Sequence, residues 1–444
     1  PDPFSPQPTF AWEVRDWRPG DGLVLDGRDA VSWHGELAAL DGWYAVQAAL
    51  KVNRGFRSLR APGNAVTAKS VVHVEKGKMC RPLDLLFSIP APKPRKLEES
   101  EFVKLAEIPS PLLTRFYGEE QAIQAAVILP PSYDQNPRRL YPSVYVMGGW
   151  GSTHLDGPSR EQRERSGMGG FGEEKIFVFV NGECPRGYHV FCDSETNGPR
   201  EQSFFAELVP FIEKNFRVDR RPASRFLAGQ ATGAWAALWL LLRRPGQFGG
   251  AFAGSPDPVD FTAFTGTNIY EKGANLFVDA AGNEKCFTVP EGPGGEPLAI
   301  TIRDFAGIDR IAGWGEQMDS FDAAFSRRGP DGTPHRLCDW VSGRVDPQVA
   351  ASWRRHDLSI VVSGLSRPAL KELQGKIHVY VAEGDPFLLD EPVKRFRRIV
   401  AGRGLRADIR ILPGSGHAVW SDELRKAIHE EMDRAARSTA GKSS

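Results

Sequence analysis

Beyond residue 120 the apolar positions fall into two alternating periods. Ala122 to Leu129, Tyr141 to Met147 and Ile176 to Asn181 (IFVFVN) are short, nearly continuous apolar runs. Such runs are the pattern of strands buried on both faces of a parallel sheet. Glu201 to Phe216 changes to a helical period, with Phe204, Phe205, Leu208, Phe211 and Ile212 on one face. Phe226 to Ala228 reads as a strand feeding an Ala- and Leu-rich helix that ends near Arg244-Pro245, and Gly249 to Gly254 reads as the next strand. The alternation resumes with a strand at Lys376 to Ala382 (KIHVYVA), a helix over Glu391 to Ala401, a strand at Ala407 to Leu412 and a helix over Ser421 to Arg437. This order predicts an α/β fold: a doubly wound, mostly parallel sheet with helices on both faces.

Two zones lack that rhythm. Residues 1–35 are rich in Pro, Gly and Trp. After them Trp43 to Asn53, Ala65 to Val74 and Leu83 to Ile89 have strand character, with turn signals such as Ala61-Pro-Gly-Asn64 between them. Short strands with such breaks predict a small β-sandwich-like domain over residues 1–95. Pro90-Ala-Pro-Lys-Pro94 is a stiff connector, because proline fixes φ and restricts the residue before it. The charged stretch Lys96 to Lys104 is expected to be a solvated crossover into the second domain, residues 96–437. Residues 255–365, rich in Gly, Pro, Asp and aromatics, read as an insertion over the sheet that controls specificity. Its Trp314, Trp340 and Trp353 are candidates for a hydrophobic lid. The small polar tail 438–444 is expected to be disordered.

Composition narrows the function. The 444 residues suit two domains. Fifty-six basic residues balance fifty-six acidic ones, which gives no reason to expect nucleic acid or an anionic membrane as partner. No apolar run approaches the ~20 residues of a membrane span. The chain begins at Pro1 rather than Met. A removed signal peptide and a trimmed start both explain this; a secreted or periplasmic location is favoured and a cytoplasmic one stays open. The five cysteines show no C-x-x-C spacing, so a zinc site is not expected, and no cofactor is called for. Cys184 and Cys192 are expected to be buried thiols, or a pair if the chain is exported. The oligomeric state is open.

The candidate chemistry gathers around Gly229-Gln230-Ala231-Thr232-Gly233, between the strand ending at Ala228 and the helix that follows. Strand, tight Gly-framed turn and helix form the nucleophile elbow, where G-x-S-x-G lifts a serine above the sheet. Here Ala231 stands at the nucleophile position. In this architecture the acid and the histidine follow in that order, in loops beyond strand ends. Asp385, in Glu383-Gly-Asp385, and His417, in Pro413-Gly-Ser-Gly-His417, occupy those places. His417 is the candidate general base and Asp385 its orienting partner. Two backbone N–H groups must face the oxyanion. One is expected from Thr232, the other from Gly149 or Trp150 in Gly148-Gly-Trp-Gly151. The loop Asp193 to Gly198 is expected to be a solvated turn, and Trp235 and Trp239 to be core. Ser255 lacks the glycine frame of an elbow.

At these residues the chain resembles the esterase D and enterochelin-esterase-like group of α/β-hydrolases. The resemblance covers about 140–260 and 370–430 and rests on YVMGGWG, HVFCDSETNGPR, ELVPFIEKNFRV, RFLAGQATGAWAALWL, FGGAFAGSPDPVDF, EGDPFLLDEPVKRF and PGSGHAVW. It implies an α/β-hydrolase sheet, an N-terminal β-sandwich-like domain, a serine-type carboxylic ester hydrolase without a metal, and a small-molecule or glycan-linked ester as substrate. It places Ala231, Asp385 and His417 in the triad. The family's G-H-S-S-G-G is Gly229-Gln-Ala-Thr-Gly-Ala234 in this sequence, and removing a triad serine costs roughly six orders of magnitude in kcat. Three readings follow. The first is an ester hydrolase whose serine has been exchanged to inactivate it, favoured by the retained Asp385 and His417. The second is a natural pseudo-hydrolase that binds a ligand or partner. The third is a biosynthetic enzyme using His417 for acid–base chemistry without an acyl-enzyme.

Overall fold

A computed structural model describes residues 7–59, 61–90, 95–157, 171–289 and 296–438. Most of the connector 90–94 and all but the first residue of the tail 438–444 lie outside the described residues. The central sheet has eight strands: β1 Val103–Pro109, β2 Ala122–Ile128, β3 Ser143–Met147, β4 Ile176–Val180, β5 Arg225–Gln230, β6 Gly250–Gly254, β7 Ile377–Gly384 and β8 Ala407–Ser415. They lie in the order β1-β2-β4-β3-β5-β6-β7-β8. β2 pairs antiparallel with both β1 and β4. Every other neighbouring pair is parallel. This is the mostly parallel, doubly wound α/β-hydrolase sheet.

β1 corrects the expected solvated crossover at its C-terminal end, since Val103 and Lys104 already belong to the edge strand. Alternation sends Ala106 and Ile108 into one core layer and Val103 into the layer on the other face, while the charged residues Lys104 and Glu107 between them mask the pattern.

Strand alternation splits the core into two layers. On one face Val144, Phe177, Phe226, Phe252 and Tyr380 pack under the last helix, Asp422–Ser438, through Leu424, Ile428 and Met432. On the other face lies helix α1, Thr232–Arg243, in which every residue from Thr232 to Leu242 is buried. A helix enclosed on all sides has no polar face, which explains its Ala- and Leu-rich sequence. Trp235 and Trp239 stack at 5.5 Å inside this layer, as core residues. The predicted helix before β5 runs as Arg200–Ser203, a π-helical turn Phe204–Leu208, and Val209–Asn215.

The N-terminal residues form three small sheets. Thr9–Ala11 pairs with Val31–Trp33. Gly42–Val46, Ser70–Glu75 and Lys78–Met79 make a second sheet, and Ala49–Leu50, Ala65–Val66 and Ile89–Pro90 a third. The insertion carries a hairpin, Cys286–Val289 with Leu298–Thr301, and helices α2, Ile302–Ala312, and α3, Gln317–Phe325. Two short helices follow, Pro347–Trp353 and Leu358–Ser363. The candidate tryptophan lid is not assembled. Trp340 and Trp353 are buried in the main core, whereas Trp314 lies against Lys51 and Arg54 of the N-terminal segment. All five cysteines are free, with Cys184 and Cys192 both buried. Among the described residues, no helix is long and apolar enough to cross a membrane.

Candidate active site

The turn between β5 and α1 has the geometry its glycines forecast. Ala231 sits at φ 52°, ψ −119°, a conformation that costs a non-glycine residue about 1–3 kcal/mol. Four backbone hydrogen bonds hold it there. Its N–H donates to the Gly254 carbonyl at 3.0 Å, and its carbonyl accepts from Ala234, Trp235 and Asp257. A Cβ on Gly233 would stand 2.1 Å from the Met147 carbonyl oxygen, and one on Gly229 2.3 Å from that of Gly233. Both positions therefore exclude any larger residue. Residues 232 to 242 are buried, whereas Ala231 is only half-buried. Its Cβ faces Gly149, where an added Cβ would lie 3.5 Å away. The position expected to carry a nucleophile is thus presented beside the loop expected to hold the oxyanion.

His417 and Asp385, 32 residues apart, meet at the ends of β8 and β7. His417 Nδ1 lies 3.0 Å from Asp385 Oδ2. The Asp385 carboxylate is wholly buried while the imidazole keeps partial exposure. The other carboxylate oxygen, Oδ1, accepts from the Phe387 N–H at 2.9 Å, and Phe387 meets the imidazole edge-on at 4.9 Å. With Nδ1 engaged by the carboxylate, Nε2 is the nitrogen left for chemistry. Gln230, directly before Ala231, donates through Nε2 to the His417 carbonyl at 2.9 Å. The residue that departs from the family's histidine therefore ties the His417 loop to the elbow. Gly254 leaves room for Trp420, whose ring would be 2.4 Å from a Cβ there.

Thr232 opens α1, so its N–H is one of the helix's unpartnered first-turn donors. Among the described residues, no backbone carbonyl takes the N–H of Gly149 or Trp150. These are the three amides expected to hold an oxyanion. The loop is fixed from outside: the Tyr188 hydroxyl donates to the Gly148 carbonyl at 2.8 Å, and Trp150 Nε1 donates to Ser320 Oγ at 3.2 Å. Arg57, from the N-terminal segment, lies over the Trp150 ring at 4.3 Å. Sequence reading did not reach Tyr188, Ser320 or Arg57, because no local motif joins residues so far apart.

A second buried carboxylate, Asp257, also went unrecognised. The Thr232 hydroxyl donates to Asp257 Oδ2 at 2.6 Å. Burial pushes the Asp257 carboxyl up to about 6, against the Thr232 hydrogen bond and the nearby His417, which both pull it down. Ser255 is fully buried, its hydroxyl without a partner among the described residues. The loop Asp193 to Gly198, expected to be a solvated turn, is instead folded inward, with Thr196 and Asn197 buried, and is closed by the antiparallel pair Asp193–Ser194 and Gly198–Pro199.

The profile of the family described as "Putative esterase" matches residues 119–420. No curated protein matches the chain. Among solved structures, similarity extends to a ferulic acid esterase at 17% identity and TM-score 0.45, covering 76% of this chain and 97% of that one. It extends also to an S-formylglutathione hydrolase from Agrobacterium tumefaciens at 14% identity and TM-score 0.44, covering 76% and 98%. A third is the dipeptidyl peptidase 4 of Porphyromonas gingivalis, at 14% identity and TM-score 0.43, covering 91% and 45%.

Proposed function

The chain belongs to the putative esterase family, and on that premise we propose that its cleft binds a carboxylic ester, small or glycan-linked, and that Ala231 limits its turnover. The observation that carries this reading is the 3.0 Å pair of His417 Nδ1 and Asp385 Oδ2 beside a strained elbow. The strain at residue 231 serves to present a side chain, and alanine gives it none with a hydroxyl.

With serine at 231, Oγ attacks the ester carbonyl as His417 Nε2 takes its proton, and the Thr232 amide with Gly149 or Trp150 receives the oxyanion. The tetrahedral intermediate collapses, His417 protonates the leaving alcohol, and water then repeats the sequence on the acyl-enzyme. With alanine no acyl-enzyme forms. What is left is binding, the oxyanion donors and a base able to activate water, worth roughly 10³-fold over the uncatalysed reaction. The serine's absence lowers kcat by roughly six orders of magnitude.

The test is hydrolysis of a panel of p-nitrophenyl esters by the chain as it stands and by Ala231→Ser. We expect serine to raise the rate by several orders of magnitude and His417→Ala to remove the gain. Should serine restore nothing at any acyl length, the hydrolase reading is overturned. That outcome would leave standing the second reading, a pseudo-hydrolase that binds its ligand without turnover, which alanine encoded at 231 in the native gene would favour.

A further inference from the structure

We propose that His73, Glu75 and Cys80 form a zinc-binding site on the N-terminal sheet, separate from the cleft and independent of the esterase reading. Among the described residues, these three alone bring together at least three side chains able to hold a metal, one ligand atom from each, all within 4.8 Å of one another.

The arrangement follows from strand pairing. His73 and Glu75 are two residues apart on the strand Ser70–Glu75, so their side chains leave the same face. The hairpin to Lys78–Met79 pairs Val74 with Met79 and Glu75 with Lys78. Continuing that register sets Cys80 opposite His73, where the Cys80 N–H donates to the His73 carbonyl at 3.2 Å. Cys80 Sγ then lies 3.5 Å from His73 Nδ1, and Glu75 Oε1 lies 3.5 Å from the same nitrogen. A tetrahedral ion with bonds near 2.0–2.3 Å holds neighbouring ligand atoms roughly 3.3–3.8 Å apart. Both distances to the imidazole already fit that spacing, and the third, from Cys80 Sγ to the Glu75 carboxylate, is within 4.8 Å.

Three further contacts hold the imidazole and the hairpin in place. Trp43, paired with His73 in the neighbouring strand, stacks on the ring at 4.6 Å and 25°. The turn is fastened by Lys76 N–H to Asp41 Oδ1 at 3.0 Å and Gly77 N–H to the Leu40 carbonyl at 2.8 Å. One imidazole nitrogen, one thiolate sulfur and one carboxylate oxygen suit zinc over magnesium or calcium, which take all-oxygen sets. Binding converts the Cys80 thiol to thiolate, its proton passing to solvent, and leaves the fourth position to water.

The experiment uses the full chain, stripped of metal by chelator and dialysis. Zinc is titrated calorimetrically, and cobalt is followed by the sulfur-to-metal charge-transfer absorption. We expect one equivalent of each, with zinc displacing the cobalt colour. Cys80→Ser should abolish the charge-transfer band, and Cys80→Ser and His73→Ala should each weaken zinc at least about tenfold. Glu75→Gln should weaken it several-fold. Cys286→Ser, at the other cysteine that is not buried, should change nothing. Each variant is first matched to the parent by circular dichroism in chelator. Absence of saturable binding, or a band that survives Cys80→Ser, would overturn the proposal.

Discussion

Asp257 shows how one buried side chain makes the site sensitive to pH. Its carboxyl titrates at about 6 rather than its ordinary 3.8, chiefly because burial penalises the charge. The native state therefore keeps this proton at a pH where the unfolded chain has released it. With more protons bound to the native state, stability falls as pH rises from about 4 to 6. The loss is complete above that window and amounts to roughly 3 kcal/mol at most. Asp257→Asn keeps an oxygen for the Thr232 hydroxyl and removes the charge. We expect it to stabilise the protein at pH 8 and to be nearly neutral at pH 4, measured by urea unfolding at each pH. An equal effect at both values would refute a titrating Asp257. Nothing in Ser255-Pro-Asp-Pro258 advertises this role, since the partner hydroxyl belongs to another element. His417 and Asp385 were legible because chain order and strand ends together specify them.

At the scale of elements, the elbow was readable because its constraints are local. Gly229 and Gly233 are required by contacts within and beside one turn, so the sequence states the geometry outright. Gly233→Ala is expected to cost several kcal/mol or to prevent folding, because the obstructing atoms at 2.1 and 2.3 Å are the backbone oxygens of Met147 and Gly148, which no rotamer change can move. Thermal denaturation beside the parent checks this; an unchanged midpoint would mean the turn is looser than described. The insertion was not readable, because its elements are specified by what they dock against. Trp33, 5% exposed, lies on α2, with Nε1 donating to the Asp304 carbonyl at 2.9 Å. Gly307 makes room for it, since a Cβ there would meet the indole at 2.5 Å. Trp33→Ala should cost about 3–5 kcal/mol in the stability of this contact and make residues 7–34 an early target in limited proteolysis. An unaltered cleavage pattern would show that other contacts hold the segment.

Taken as a whole molecule, three distant stretches converge on the loop Gly148–Gly151. The N-terminal segment supplies Arg57 over Trp150, and α3 supplies Ser320 to the indole N–H. Tyr188, from the loop after β4, holds the Gly148 carbonyl. Lys51 strengthens the same junction by donating to the Trp314 carbonyl at 2.8 Å. No periodicity or spacing in the sequence could have forecast this convergence, which exists only once the sheet has set the loop in place. A donor serves an oxyanion only if it is fixed before the charge develops, and a displacement of about 1 Å can cost 10²-fold. Arg57 and Ser320 touch the loop through the Trp150 side chain, so they are positioning residues. In the Ala231→Ser background, Arg57→Ala and Ser320→Ala are each expected to lower kcat about ten- to a hundredfold with little change in KM. Their combination should lose less than the product of the two, because both act on one indole. A rise in KM at constant kcat would instead make Arg57 a ground-state contact of the substrate. Rates unchanged by both substitutions would mean that Tyr188 and the loop's own glycines suffice to fix the donors.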